Sequence, residues 1–187
     1  MKFPLQNCEK DYEELYAEAK SNTEALGMTA PTMAPVSGRR ITEAHGMALM
    51  SRLAEFNPAL KLPAAFPFQC ARRTAEVRPL VEEIVRMPCS VTIGGVLMRD
   101  KDLWAFELTN FPMMGRTGDY HVWLTAANGE IVDLTILVSL YAQTGRPLED
   151  ATPLAGFPEE MEPFVWRPVL VGDDALDALL ESAAGRR

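Results

Sequence analysis

Cysteine is scarce in this chain and offers no pairing pattern: Cys8, Cys70 and Cys89 are three, an odd number, with no C-x-x-C spacing. Neither a disulfide framework nor a zinc site is suggested, and a reducing cytoplasm is the expected compartment. Basic charge is short too, with 18 Lys and Arg against 26 Asp and Glu, a net charge of −8 and a pI near 4.8. Nucleic acids and anionic membranes are bound through clustered Lys and Arg, so neither is an expected partner. No apolar run approaches the roughly 18–20 residues that cross a bilayer, and the opening Met1-Lys2-Phe3-Pro4-Leu5-Gln6 has no signal-peptide core. Repeats and low-complexity tracts are absent. What is present is 187 residues, 48% of them hydrophobic, enough for one well-buried domain. No cofactor or metal is expected.

The first third reads as helical. Glu9 to about Leu26 sets Tyr12, Leu15, Tyr16 and Ala19 at helical spacing, with Gly27 as a C-cap. Met28 to Gly38 is a Thr-, Pro- and Ser-containing connector, so residues 1–38 are expected to form a helical arm and linker, and 39–187 a single domain. Thr42 N-caps a second helix over Glu43 to Phe56, in which His45 is read as an ordinary helix residue. Three prolines between Asn57 and Phe68 make that stretch an ordered, non-helical approach to Cys70. From Cys70 the steps to Thr74, Val77, Val81 and Ile84 trace one helix face, which points the thiol inward. Pro79 either bends this helix or restarts it.

The second half reads as strands: Ser90 to Met98, with Gly94-Gly95 as a bulge or a close backbone approach, then Leu103 to Leu108. Asn110 to Asp119 is a loop whose Met113-Met114 pair either lines a site or caps the core. Tyr120 to Ala126, Asn128-Gly129 and Ile131 to Leu137 form a β-hairpin around a two-residue type I′ turn. A Pro- and Gly-containing loop, a strand at Phe164 to Val171, and a short helix N-capped by Asp173 complete the chain.

The hairpin carries the chemistry. Side chains alternate faces along a strand, so one register brings His121 and Asp133 together, an imidazole and a carboxylate. A catalytic thiol needs that pair: a base to take its proton, and an acid to fix the base's tautomer and stabilise its cation. Cys70 is the matching thiol, because a helix N-terminus favours thiolate and offers N–H groups to an oxyanion. Cys70 is therefore the expected nucleophile, His121 the base and then acid, and Asp133 the orienting acid, with the Cys70 amide as an oxyanion donor. Gln69 is a candidate second donor. Trp123, expected to pack beside the site, joins it among the oxyanion and substrate-binding candidates. Cys89 precedes a strand and Cys8 lies in the arm, so both are weaker nucleophile candidates. Arg72 and Arg73 either favour the thiolate, bind an acidic group, or simply face solvent.

Gln69-Cys70 at a helix start, His121-Val122-Trp123-Leu124, and Asn128-Gly129-Glu130-Ile131-Val132-Asp133-Leu134-Thr135 resemble the transglutaminase-like and papain-like cysteine enzymes. The likeness spans about residues 66–137, the last two stretches matching an H-x-W and a G-x-(I/V)-(I/V)-D-x-T pattern. It implies an α+β fold of helices followed by an antiparallel sheet, and acyl transfer through a thioester on Cys70. Implied substrates are a protein, a peptide or a small amide or thioester. No Trp follows Cys70 and Pro79 interrupts its helix, which leaves subfamily and substrate open. The rival expectations are a catalytically silent member of the fold and a small acidic adaptor that docks through its first helix.

Overall fold

The computed structural model describes residues 10–185 apart from 62 and 67; Cys8 lies outside them. Helices and an antiparallel sheet make an α+β fold. Three helices come first: α1 (Tyr12–Ala25), α2 (Glu43–Phe56) and α3 (Cys70–Val85). Strands β1 (Cys89–Met98), β2 (Lys101–Trp104), β3 (His121–Ala126), β4 (Ile131–Asp133), β5 (Leu154–Gly156) and β6 (Phe164–Val171) form one sheet. The short helix α4 (Met114–Thr117), α5 (Ile136–Thr144) and α6 (Asp173–Ala183) lie between and after the strands.

β1 is the spine of the sheet. It pairs with β6 along one edge, and its other edge is shared: residues 89–94 pair with β3, and residues 96–98 with β2. Gly94 faces His121 and Val96 faces Trp104, so the end of β2 meets the start of β3. The Gly94-Gly95 pair makes this join possible. The ladder to β6 slips at Ile93/Gly94, and a Cβ on Gly94 would sit 2.0 Å from the Arg167 carbonyl oxygen. Only glycine tolerates that approach.

One sheet face packs Val91, Ile93, Val122, Leu124 and Leu170 against α2, α3 and α6. Of the helical steps predicted from Cys70, Thr74, Val77 and Val81 are buried with the thiol and Ile84 is half-buried, while Ala71, Leu80 and Val85 widen the buried face. α3 runs through Pro79, which is exposed, with only the Ala75 carbonyl losing its amide partner. The other face packs Val96, Trp123, Ile131 and Trp166 against Tyr12 of α1.

That second layer corrects the expected arm. α1 is capped by Asp11, whose carboxylate accepts from the Glu14 amide, and it buries Tyr12, Ala19 and Thr23 in the domain core. Thr23 and Asn22 tie it to β6 through the Val171 and Val169 backbone. The connector is pinned as well: the Thr29 amide donates to Asp174 Oδ2 at 2.8 Å and the Val36 amide to the Ala127 carbonyl at 3.2 Å, and the residues just after it are held by a buried acid. Glu130, fully buried, accepts from the Ile41 amide at 2.6 Å, from Arg40 at 3.2 Å and from the Asn128 amide group at 2.7 Å.

Smaller differences have local causes. The hairpin turn has three residues rather than two: Ala126 accepts from the Gly129 amide and donates to Glu130, with Gly129 at φ 88°. The strand after it ends at Asp133, and Ile136 to Leu137 begin α5 instead. Ala105 to Leu108 leave the sheet, short 3₁₀ turns occupy Pro58–Lys61 and Pro63–Ala65, and β5 lies in the stretch read as loop. Gly172, at φ 98°, precedes α6, and Asp173 is its first residue, paired with Arg78. Thr42 and His45 share the start of α2, where His45 Nδ1 accepts the Thr42 amide at 3.0 Å. Of the methionine pair, Met114 is buried and Met113 exposed.

Candidate active site

Cys70, His121 and Asp133 converge where the N-terminus of α3 meets the start of β3 and the end of β4. β3 and β4 pair Leu124 with Val132 and Thr125 with Ile131, so Trp123 and Asp133 share a face and His121 lies diagonal to Asp133. His121 Nε2 and Asp133 Oδ2 are 2.7 Å apart, with His121 0% and Asp133 1% exposed.

Asp133 is saturated with donors. Oδ2 also accepts from the Trp166 indole nitrogen at 3.0 Å, while Oδ1 accepts from the amides of Thr135 and Ile136, both at 3.0 Å. Those amides open α5, so the same carboxylate orients the histidine and caps a helix. This explains why the second strand stops where it does. Burial, the largest influence, would raise this carboxyl, but the imidazolium and these donors hold it below the ordinary carboxylate range. For His121, burial is again the largest influence and opposes protonation. The Asp133 charge and hydrogen bond, joined by Cys70, outweigh it and push the imidazole up to about 10.

With Nε2 committed to Asp133, Nδ1 is left. It is buried and has no partner within ordinary hydrogen-bond distance, yet the Cys70 thiol lies near enough to raise the ring's basicity. Cys70 itself is 9% exposed, at the first helical position, where the amide has no intrahelical acceptor. Tyr120 lies beside it: burial first, and then the Cys70 charge, pushes that phenol up to about 12. The approach segment is tied down on both sides of the thiol. Phe68, at φ 57°, donates its amide to Ser139 Oγ at 3.1 Å, and Arg73 donates to the Ala65 carbonyl at 2.9 Å while pairing with Glu76 at 2.6 Å. A non-glycine residue in the left-handed region two places before the thiol is strain held by its surroundings.

Gln69 is exposed at the N-cap position of α3, and its side chain makes no cap hydrogen bond. Trp123 is fully buried behind His121, at a ring distance of 6.1 Å, and offers no surface to a substrate. It is a core wall of the site. Cys89 begins β1, where burial and then Glu82 push its thiol up to about 12, and His121 is matched to Cys70 instead. Arg73 is spent on the approach segment; Arg72 is exposed.

Three residues were missed by sequence reasoning. Trp104 stacks on the His121 ring at 4.5 Å, Trp166 holds Asp133, and Tyr12 receives the indole hydrogen of Trp123 at 2.7 Å. All three tryptophans of the chain therefore stand around one histidine–aspartate pair. Their scarcity was the available signal; their convergence needed the pairing of β1 with β2, β3 and β6.

Fold and site together define the class: an α+β protein in which a buried histidine–aspartate ion pair faces a cysteine that opens a helix. Comparison with protein-family models, curated proteins and solved structures finds no match. Among the described residues no group of three His, Cys, Asp or Glu could hold a metal ion, and no helix is long and apolar enough to cross a membrane.

Proposed function

We propose that the chain is a cysteine-dependent acyl-transfer enzyme with a transglutaminase-like or papain-like core, acting in the cytoplasm on an amide or thioester of a protein, peptide or small molecule. The observation that carries this is the division of labour on one imidazole: Nε2 is locked to Asp133 at 2.7 Å, and Nδ1 is left for Cys70. Hydrolysis or deamidation is the narrower form.

The steps balance with these groups alone. His121, held as the imidazolium beside Asp133, carries the thiol's proton on Nδ1 from the outset; the sulfur attacks the carbonyl carbon, while the Cys70 amide, with Gln69 as second donor, steadies the oxyanion. The carbon–nitrogen bond then breaks as the imidazolium returns the proton to the leaving amine. Water, deprotonated by the same nitrogen, attacks the thioester; the acid departs and the thiol is restored. Asp133 keeps the imidazolium stable throughout.

The adaptor alternative needs a free apolar face on the first helix, and α1 spends that face on the sheet. The test is the pH dependence of iodoacetamide labelling at each cysteine in wild type and in His121→Ala. Fast labelling confined to Cys70 below about pH 7, slowed by the substitution, supports the proposal, since a free thiol ionises near 8.5. Slow labelling with an ordinary thiol profile, indifferent to His121, overturns it in favour of a silent member of the fold.

A further inference from the structure

We propose that Tyr12 is a positioning residue for His121, which makes the N-terminal helix α1 part of the site's machinery; this rests on His121 being the base of the proposed reaction. The bond to Asp133 holds Nε2, which lies nearer the Cβ–Cγ axis than Nδ1 does, so a small rotation about that bond displaces Nδ1, the nitrogen left for Cys70, more than it displaces Nε2. Flat neighbours set that rotation. Trp104 and Trp123 lie within 24° and 22° of the imidazole plane, at 4.5 and 6.1 Å. Trp123 is held in turn by a single polar contact, its indole nitrogen to the Tyr12 hydroxyl at 2.7 Å.

An indole nitrogen can only donate, which gives the contact a direction. The Tyr12 hydroxyl, accepting from Trp123, also shares a hydrogen bond with Thr125 Oγ1 at 2.7 Å, and Thr125 Oγ1 shares one with Thr92 Oγ1 at 2.7 Å. One hydrogen-bonded chain thus runs from the indole beside His121, through α1, to strand β1. Burial pushes the Tyr12 phenol far up, so it stays a neutral hydroxyl over the whole working range. Tyr12 and Trp123 stand 111 residues apart, so nothing local imposes their contact. Elsewhere α1 is fastened to β6 by Asn22 and Thr23, which already serve the helix's attachment.

The experiment compares Tyr12→Phe with Asn22→Ala in the full chain. Asn22→Ala loosens the same helix from β6 without touching the indole. Two readouts are taken: the ring-nitrogen NMR signals of His121, simple to assign because His45 is the other of two histidines, and the pH profile of Cys70 alkylation. Tyr12→Phe is expected to move the His121 signals and slow alkylation about tenfold, within the ~100-fold that a misplaced reacting group can cost. Asn22→Ala is expected to leave both unchanged. Unmoved His121 signals in Tyr12→Phe, or the same change in Asn22→Ala, would overturn the proposal. Where Tyr12→Phe does not fold, Thr125→Val removes the anchor of the Tyr12 hydroxyl and is expected to move the same signals the same way; unmoved signals again overturn it. The NMR readout judges Tyr12 even if wild-type Cys70 labels as an ordinary thiol, the outcome that sinks the enzymatic proposal itself.

Discussion

The two ends of the candidate site are built differently. At the histidine–aspartate end both carboxylate oxygens are occupied, one imidazole nitrogen is locked, and three indoles from three strands close around the pair. At the cysteine end the thiol sits at a helix terminus on a segment reached through short 3₁₀ turns, next to an exposed Gln69 and to Phe68, 59% exposed. Rigid geometry is concentrated at the ion pair, and exposed residues flank the thiol. Such a division suits a reaction in which the base is prepared in advance and the acyl group comes from solvent.

The comparison breaks most sharply at Asp133. Asp133→Ala strands the Trp166 indole and the Thr135 and Ile136 amides and leaves His121 buried alone, so a loss of about 3–5 kcal/mol in urea unfolding is expected, with Cys70 activation abolished. An equal loss from a substitution at the cysteine end would erase the contrast.

Titration tests the same asymmetry. His121 is raised from 6.5 to about 10, so its stabilisation is complete below pH 6.5 and drains away as pH rises toward 10. Asp133 is lowered from 3.8, so its share is complete above that value and is lost as pH falls below it. The pair therefore stabilises the fold most fully between about pH 4 and 6.5. Unfolding measured across pH should show that window in wild type and a flatter curve in His121→Ala; identical curves would mean that the pair holds no charge.

At the cysteine end the expected effect is smaller. Ser139→Ala removes the acceptor for the Phe68 amide, with a cost of about 1 kcal/mol in unfolding and a several-fold change in Cys70 alkylation. An effect as large as that of Asp133→Ala would show the approach segment to be equally rigid. Smallest of all is Cys89→Ser: with that thiol pushed up to about 12, Cys70 labelling below pH 8 should not change. Loss of labelling would move the nucleophile to β1.

Legibility in the sequence followed the range of the forces involved. The face of α3 that turns Cys70 inward, the hairpin that brings His121 to Asp133, the bulge at Gly94 and the limits of β6 all follow from local periodicity and glycine chemistry. The strand drawn past Asp133 failed because Ile136 and Leu137 are as apolar in a buried helix as in a strand, and because a carboxylate that caps α5 leaves no mark on the pattern. The arm failed for a related reason. Pro- and Thr-rich residues 28–38 do break secondary structure, but attachment is decided by Tyr12, Thr23 and a buried Glu130, whose partners lie roughly 90 to 150 residues away.

The ring of indoles has a practical side. Because this chain's complement of tryptophan is spent on one ion pair, its tryptophan emission, excited at wavelengths tyrosine does not absorb, comes wholly from the surroundings of that pair. An ordinary fluorimeter, with no label and no engineered reporter, therefore watches the candidate catalytic centre alone.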